Sequence, residues 1–474
     1  MGSTSGDSPP SIQRRAVAIA YPGRGHINPM MNFCIQLASK QPDWLITFVV
    51  TEEWLGFLSS ETGLPPNISF GTIPNVLPSE LVRAADHSGF YKAILTKMEE
   101  PVECLIRQLD SRPLVIIYDY FLSWVPGLGN KRNIPVAALS PMSARMFSMF
   151  MHHHLLVQNG DLPVHNMSVC ALSPHFDLNS IKEQGENEVD YIPGVPSTRV
   201  LDLPSSFHES GQAILPGILE AMSMVKETQC ILFTSFYELE QQTIDALRAE
   251  LSMPVYVIGP AIPDFKLKQN LSTNIDAPHY IKWLDNQPNN SVLYISQGSF
   301  LSVSSVQLDE IVAGVLDSGV RYFWVTKTEA SRVSGEKGLV VPWCDQLRVL
   351  CHPSVGGFWS HCGWNSTKEG VFAGVPMLTF PIIFDQNMNS NAIVDDWKTG
   401  WRVKRSTAVE KLVTRNEIAG LVKRFMDLES EEGKMMRKRV KELEEIARQA
   451  TAEGGSSEND IDAFIQDILE SDRD

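Results

Sequence analysis

Two α/β domains, each a mainly parallel sheet covered on both faces by helices, are what this chain predicts. Three observations lead there. Its 474 residues exceed what one compact core accommodates. Strand-like apolar runs alternate with helix-like ones, and the alternation starts afresh after about residue 290. Between the two series lies "IGPAIPDFKLKQNLSTN", rich in Pro, Asn and Lys and without sustained periodicity, which reads as a linker.

In order, "RAVAIAY" is a short apolar run that breaks at "PGRGH" and leads into the helical stretch "NPMMNFCIQLASK". "WLITFVVT" and "PLVIIYD" follow, rich in the branched residues that buried parallel strands favour. The second half repeats the scheme with "SVLYISQ", "RYFWVT", "VGGFWSH" and "VPMLTFPI". In the helix after "SVLYISQGSF", Ser305 is placed to cap the start, and Leu308, Ile311, Val312, Val315 and Leu316 share one face. Gly319 then closes it in a left-handed conformation. "SEEGKMMRKRVKELEEIARQ" reads as an amphipathic surface helix whose charges serve solubility. Two doubly wound halves direct a ligand to the cleft between them, at the carboxyl ends of the strands.

Composition narrows the function. A formal charge of -16 argues against a general nucleic-acid binder, yet leaves room for a local site for a small anion. The apolar runs are strand-length, so no segment is expected to span a membrane. The polar N-terminal stretch lacks the apolar core of a secretory signal, and seven cysteines without a CxxC pair read as reduced thiols. A cytoplasmic protein is expected.

The chemistry gathers at strand ends. "GGFWSHCGWNSTKEG" puts His361 at the carboxyl end of a strand and Asn365 and Ser366 at the start of a helix. The first amides of that helix are unpaired and its dipole is positive there, so a phosphate gains donors without a lysine cluster. Asn and Ser are equally ordinary caps, so this turn alone leaves both readings open. "SQGSF" offers a second such turn, with Gly298 and Ser299. His26 and Asp119 each follow or end a strand on the same sheet edge. A carboxylate beside an imidazole fixes its tautomer and stabilises its protonated form, which is what a general base for a hydroxyl requires. There is no GxxxxGK[ST], HExxH or GxSxG, and "GRGHIN" lacks the third glycine of a dinucleotide fingerprint. "DID" at Asp460 to Asp462 and "HHH" at His152 to His154 splay their side chains, which disfavours metal binding.

From Trp343 to Gln386 the chain reads "WCDQLRVLCHPSVGGFWSHCGWNSTKEGVFAGVPMLTFPIIFDQ". This resembles the signature box of plant UDP-sugar-dependent glycosyltransferases of small molecules (family 1, GT-B fold). "YPGRGHINPM", "YISQGS" and "SSENDIDAFIQDI" resemble further family segments, so the likeness spans essentially the whole chain. The resemblance implies two Rossmann-like domains facing across a cleft: residues 1–255 for the acceptor, a linker at 256–275, residues 276–455 for the UDP-sugar, and a terminal helix, 456–474, packing back on the first domain.

It also implies roles. Trp343 would stack on uracil, with a main-chain contact at Cys344; Gln346 and Glu369 would hold the ribose; Ser299, His361, Asn365 and Ser366 would contact the diphosphate. Trp364, Asp385 and Gln386 would read the sugar, favouring glucose, and Ser143 would lie near it. His26, oriented by Asp119, would deprotonate the acceptor in a single inverting displacement needing no metal and no cofactor, with UDP-glucose as co-substrate. Cys344 and Asp345 replace the usual Ala-Pro, which would loosen that loop, and Gln297 and Lys368 also depart from the pattern. The expected partners are a UDP-sugar and a small apolar hydroxylated metabolite (flavonoid, phenolic, terpenoid or hormone), with a pocket built from "SPMSARMFSMFMHHH" and residues near 80 to 95. Nothing demands more than a monomer. The competing classes are a UDP-sugar or metabolite-binding protein without turnover, a nucleotide-sugar-modifying enzyme and, more distantly, a nicotinamide oxidoreductase.

Overall fold

The computed structural model describes residues 14–59, 64–83, 85–162, 185–208, 212–264, 267, 277–298, 303–326, 337–404 and 412–471. Fifteen strands occur among them. β1 (Arg14–Ile19), β2 (Trp44–Thr51), β3 (Ile68–Ile73), β4 (Val115–Asp119), β5 (Val136–Ser140), β8 (Cys230–Phe233) and β9 (Val255–Val257) form a seven-stranded parallel sheet. Its order is β3-β2-β1-β4-β5-β8-β9. A short antiparallel pair, β6 (Glu188–Val189) with β7 (Thr198–Arg199), stands apart. The second sheet comprises β10 (Val292–Ser296), β11 (Arg321–Val325), β12 (Gly338–Val341), β13 (Val355–Ser360), β14 (Met377–Thr379) and β15 (Gly400–Arg402), in the order β12-β11-β10-β13-β14-β15.

Both sheets are buried on two faces, which is why their strands are continuously apolar rather than alternating. Val17 and Ile19 of β1 enter one core with Ile116 and Tyr118, while Ala16 and Ala18 enter the opposite core with Val115 and Ile117. The second sheet splits likewise: Val292 and Tyr294 face one core, Leu293 and Ile295 the other. In each sheet the strand order reverses beside the first strand, between β1 and β4 and between β10 and β13. Connections leave to opposite sides there and open a crevice at the carboxyl ends.

β9 runs to Val257, two residues into the stretch read as linker. The terminal helix Ser456–Ser471 buries Ile461, Phe464, Ile465 and Ile468 in the core of the first domain. The two outer acids of "DID" diverge on it: Asp460 accepts from the Val257 amide at 2.6 Å, and Asp462 meets Lys40 at 2.7 Å. The helix Ser305–Asp317 is capped by Ser304 rather than Ser305, because Ser304 has the extended backbone that turns its hydroxyl onto the Gln307 amide. Gly319 closes it at φ +66, and Leu316 is partly exposed, off the apolar face. The long charged helix Glu431–Thr451 does more than solvate: Arg448 lies over the Phe372 ring and Arg437 donates to the Phe425 carbonyl. No helix among the described residues is long and apolar enough to cross a membrane.

Candidate active site

His26 lies in the first turn of the helix Arg24–Lys40, directly after β1, and Asp119 is the last residue of β4. β1 and β4 are neighbours, so the first crevice brings the two side chains together: His26 Nδ1 stands 2.7 Å from Asp119 Oδ2. Asp119 is fully buried, and its other oxygen accepts from the Phe121 amide at 3.1 Å. With Nδ1 donating to a carboxylate, Nε2 is left as the basic nitrogen. The Tyr21 ring, 4.7 Å away, and the edge of Phe121, 5.7 Å away, wall the imidazole.

The second crevice faces the first. β13 ends at Ser360, and the helix Trp364–Phe372 begins four residues later, with Cys362 between them in the left-handed region at φ +66. A side chain held there costs about 1 kcal/mol or more, a strain that concentrates where a turn must aim its groups. The first repeating helical bond runs from the Thr367 amide to Gly363, so the amides of Trp364, Asn365 and Ser366 precede it and point out of the helix start. His361 stands between two glycines: a Cβ at Gly298 or Gly363 would come within 2.8 or 2.5 Å of its Nε2. Burial lowers its pKa to about 4 against the opposing hydrogen bond of the Ser296 main chain, so the ring is neutral.

Farther along, Tyr294 donates to Gln346 Oε1 at 3.0 Å, which fixes the amide. Gln346 Nε2 then donates to Ser366 Oγ at 2.9 Å and to Glu369 Oε2 at 2.6 Å. Both amide protons are thereby used, so Gln346 orients its neighbours and keeps only acceptor capacity for a ligand. Ser366, having accepted, has its own proton to give. Burial raises the Glu369 pKa to about 7. Trp343 presents a largely exposed indole nearby in sequence. Asp345 caps the helix Gln346–Leu350 through the Arg348 amide, and its own amide donates to the Tyr280 hydroxyl at 3.1 Å. Where the resemblance expects a proline to stiffen the loop, a carboxylate cap stands in its place. Cys344 is buried against the Tyr294 hydroxyl.

Asp385 and Gln386 follow Phe384, another left-handed residue at φ +61. Asp385 is buried, which raises its pKa to about 6, and one oxygen accepts from Asn389 at 2.8 Å. Its carboxyl lies near enough to His26 for the imidazole to oppose that rise slightly. The Gln386 oxygen accepts the Ile382 and Ile383 amides, leaving its NH2 group as the free donor. A carboxyl group beside an amide donor suits a vicinal diol.

Several expected contacts differ. The Trp364 indole donates to the Thr234 carbonyl at 3.1 Å and is buried, so a main-chain amide, not the ring, is what this residue offers a ligand. Asn365 donates its side-chain amide to the Gly25 carbonyl at 2.8 Å. That carbonyl is free because its helical partner would be the N–H of Pro29, which proline lacks. Ser143 is buried as the cap of the helix Ala144–Met151, accepting from Met146. Met146, Phe147, Met149 and Phe150 of that helix are core residues rather than pocket lining. His152 is held by Glu250 and the Ser148 carbonyl. Ser299 lies outside the described residues. Within the stretch near 80 to 95 expected to line the pocket, the structure singles out His87, whose ring lies 5.3 Å from Phe384 and which feels His26. The sequence offered no sign of Thr234, a residue without any local motif.

Two doubly wound domains, with a His–Asp pair in one crevice and a phosphate-type helix start in the other, define the GT-B class of nucleotide-sugar-dependent glycosyltransferases. Comparison with known proteins makes the class particular. Residues 240–438 match the family "UDP-glucoronosyl and UDP-glucosyl transferase". UDP-glycosyltransferase 87A2 of Arabidopsis thaliana is 47% identical over 468 residues, 98% of either chain, and linamarin synthase 1 of Manihot esculenta is 31% identical over 99% of either. Among solved structures, Medicago truncatula UGT71G1 complexed with UDP-glucose superposes with a TM-score of 0.78 at 26% identity, covering 96% of this chain and 98% of that one. Phytolacca americana UGT2 complexed with UDP-2fluoro-glucose and pterostilbene gives 0.77 at 25% identity, covering 96% and 100%. The chain belongs to the plant family 1 UDP-glycosyltransferases.

Proposed function

We propose that the enzyme transfers glucose from UDP-glucose, with inversion, to a hydroxyl of a small, largely apolar plant metabolite. The observation that carries this reading is the His26–Asp119 pair, set beside the second domain by the Asn365 bond to the Gly25 carbonyl. His26 Nε2 takes the acceptor proton as its oxygen attacks the anomeric carbon, and buried Asp119 stabilises the imidazolium that forms. UDP leaves as its charge is met by the helix amides at 364 to 366, the Ser366 hydroxyl and neutral His361, donors already oriented before reaction. These groups supply the leaving-group stabilisation without a resident metal or cofactor. Asp385 and Gln386 read the sugar hydroxyls, Glu369 accepts from the ribose, and Trp343 offers a face to uracil.

The acceptor side is aromatic. Tyr21 and Phe121 flank the base, and His87 and Phe384 meet opposite it. A cavity of about 900 Å³, bordered by Tyr91, Leu95 and Trp124, lies behind this wall rather than at the base. Flat or hydrocarbon-rich alcohols and phenols fit such surroundings, consistent with the pterostilbene complexed by the Phytolacca protein.

The decisive assay incubates EDTA-treated protein with UDP-glucose and a panel of phenolic and terpenoid alcohols, reading UDP and glycoside mass together. Stoichiometric UDP and β-glucoside are expected. Donor binding without product on any acceptor would favour the non-catalytic binding protein, and a modified nucleotide sugar would favour the third class.

The raised Glu369 pKa predicts a pH effect on donor affinity. Its carboxyl ionises as pH rises through about 7 and becomes a charged acceptor for the ribose hydroxyls. The KM for UDP-glucose should therefore fall about fivefold across that rise, the difference between a neutral and a charged hydrogen bond. Glu369→Gln should flatten the profile; an unchanged slope in that variant would remove Glu369 from the ribose site.

A further inference from the structure

The helix whose start meets the diphosphate is tied to the first domain from a second side. Lys368 is fully buried on it, and its Nζ donates to Thr234 Oγ1 at 3.0 Å. Trp364, one turn earlier on the same face, donates to the carbonyl of that same Thr234. Thr234 directly follows β8 and is locked to β5, since its amide and its hydroxyl both donate to the Ser140 carbonyl, at 3.1 and 3.0 Å. Buried Glu240 lies close enough to oppose the Lys368 charge. Its carboxylate is itself fixed by the amides of Ala144 and Arg145 and by the Ser235 hydroxyl.

We infer that Lys368 and Thr234 form the pivot on which the donor domain is seated against the base, making both positioning residues for glycosyl transfer. The helix Trp364–Phe372 touches the first domain at Gly25, one residue before His26, and at Thr234. Two attachment points fix the direction of a helix, whereas one permits it to swing. Losing the Lys368–Thr234 side-chain contact leaves the Trp364 bond to the Thr234 carbonyl as the helix's tie on that side, so the helix can tilt about it and the distance from His26 to the anomeric carbon is less firmly set. The diphosphate donors stay within the second domain, so donor affinity is retained. Burying a lysine is costly unless it is paired; Glu369 on its own helix and Glu240 of the first domain both favour its charge, and its hydrogen bond to Thr234 crosses between the domains. The inference rests on the reading of His26 as the base.

The test compares Lys368→Met, Thr234→Val and the double variant, each shown to be folded by its thermal melt. Each single change should lower kcat about tenfold while UDP affinity by calorimetry, measured at a pH high enough to ionise Glu369 in every variant, stays within about twofold, and the double variant should be no slower than the worse single one, as partners in one contact require. Amide exchange at His26 and Ile27, which bond to the Gly23 carbonyl, should quicken about tenfold in each variant. Wild-type kcat in both single variants, multiplying losses in the double, unchanged exchange, or UDP affinity falling in step with kcat would each overturn the pivot. The exchange arm needs no acceptor. It judges the pivot even if no glycoside forms with the wild type, a result that would count against glycosyl transfer instead.

Discussion

His26→Ala should cut turnover by about 10²- to 10⁴-fold, the usual weight of a general base, while leaving UDP binding unchanged. The separation follows from position: the imidazole belongs to the first domain, and the diphosphate donors to the second. Asp119→Asn should be nearly as damaging despite its matching shape. The Phe121 amide needs an acceptor, so the asparagine oxygen turns to it and the NH2 group faces His26 Nδ1. Nδ1 must then accept, the ring proton moves to Nε2, and the nitrogen facing the acceptor hydroxyl can no longer take a proton. Single-turnover rates with UDP-glucose and one accepted alcohol measure both variants. Near-wild-type rates in His26→Ala would remove the base from the mechanism, and a fast Asp119→Asn would show that the tautomer is not what Asp119 controls.

His361→Ala should lower kcat by about 10²- to 10³-fold, comparable with the loss of one preorganised donor to a developing anion. The ring fills the space between Gly298 and Gly363 and is neutral, because burial lowers its pKa to about 4. It therefore meets the leaving UDP as a neutral dipole rather than as a charge. His361→Asn, a neutral donor of shorter reach, should recover part of the loss, and the wild-type rate should show no step attributable to this ring near the ordinary histidine value of about 6.5. Steady-state kinetics together with UDP calorimetry decide the matter: equal activity in the alanine and wild-type proteins would place the diphosphate elsewhere.

The elements carrying the site are legible where chemistry is local. The apolar runs ending at Asp119 and Ser360, the break at "PGRGH" and the helix start after His361 follow from strand patterning and unpaired amides. Less legible are side chains with two possible partners. In the sequence Asn365, Trp364 and Ser143 point toward the ligand, yet the structure engages their side chains with Gly25, Thr234 and the Met146 amide. Nothing near Asn365 in the chain announces that Pro29 frees a carbonyl for it. The Met- and Phe-rich stretch after Ser143 shows the same ambiguity, since apolar residues at helical spacing suit a pocket and a core equally.

Read alone, the amino-acid order determined two parallel-sheet domains, the strand ends that bear His26, Asp119 and His361, and the kind of chemistry those residue types support. Only the tertiary structure decided that β1 lies beside β4 and β10 beside β13, so that each reversal of strand order opens a crevice holding half of the site. It also decided that Lys368 is held by Thr234, 134 residues away in the chain. The physical reason is the range of the forces involved: hydrophobic periodicity and helix capping act between near neighbours and are written locally. Sheet order and domain docking are instead settled by burial and hydrogen bonding between segments far apart in the chain, where no local pattern records the partner.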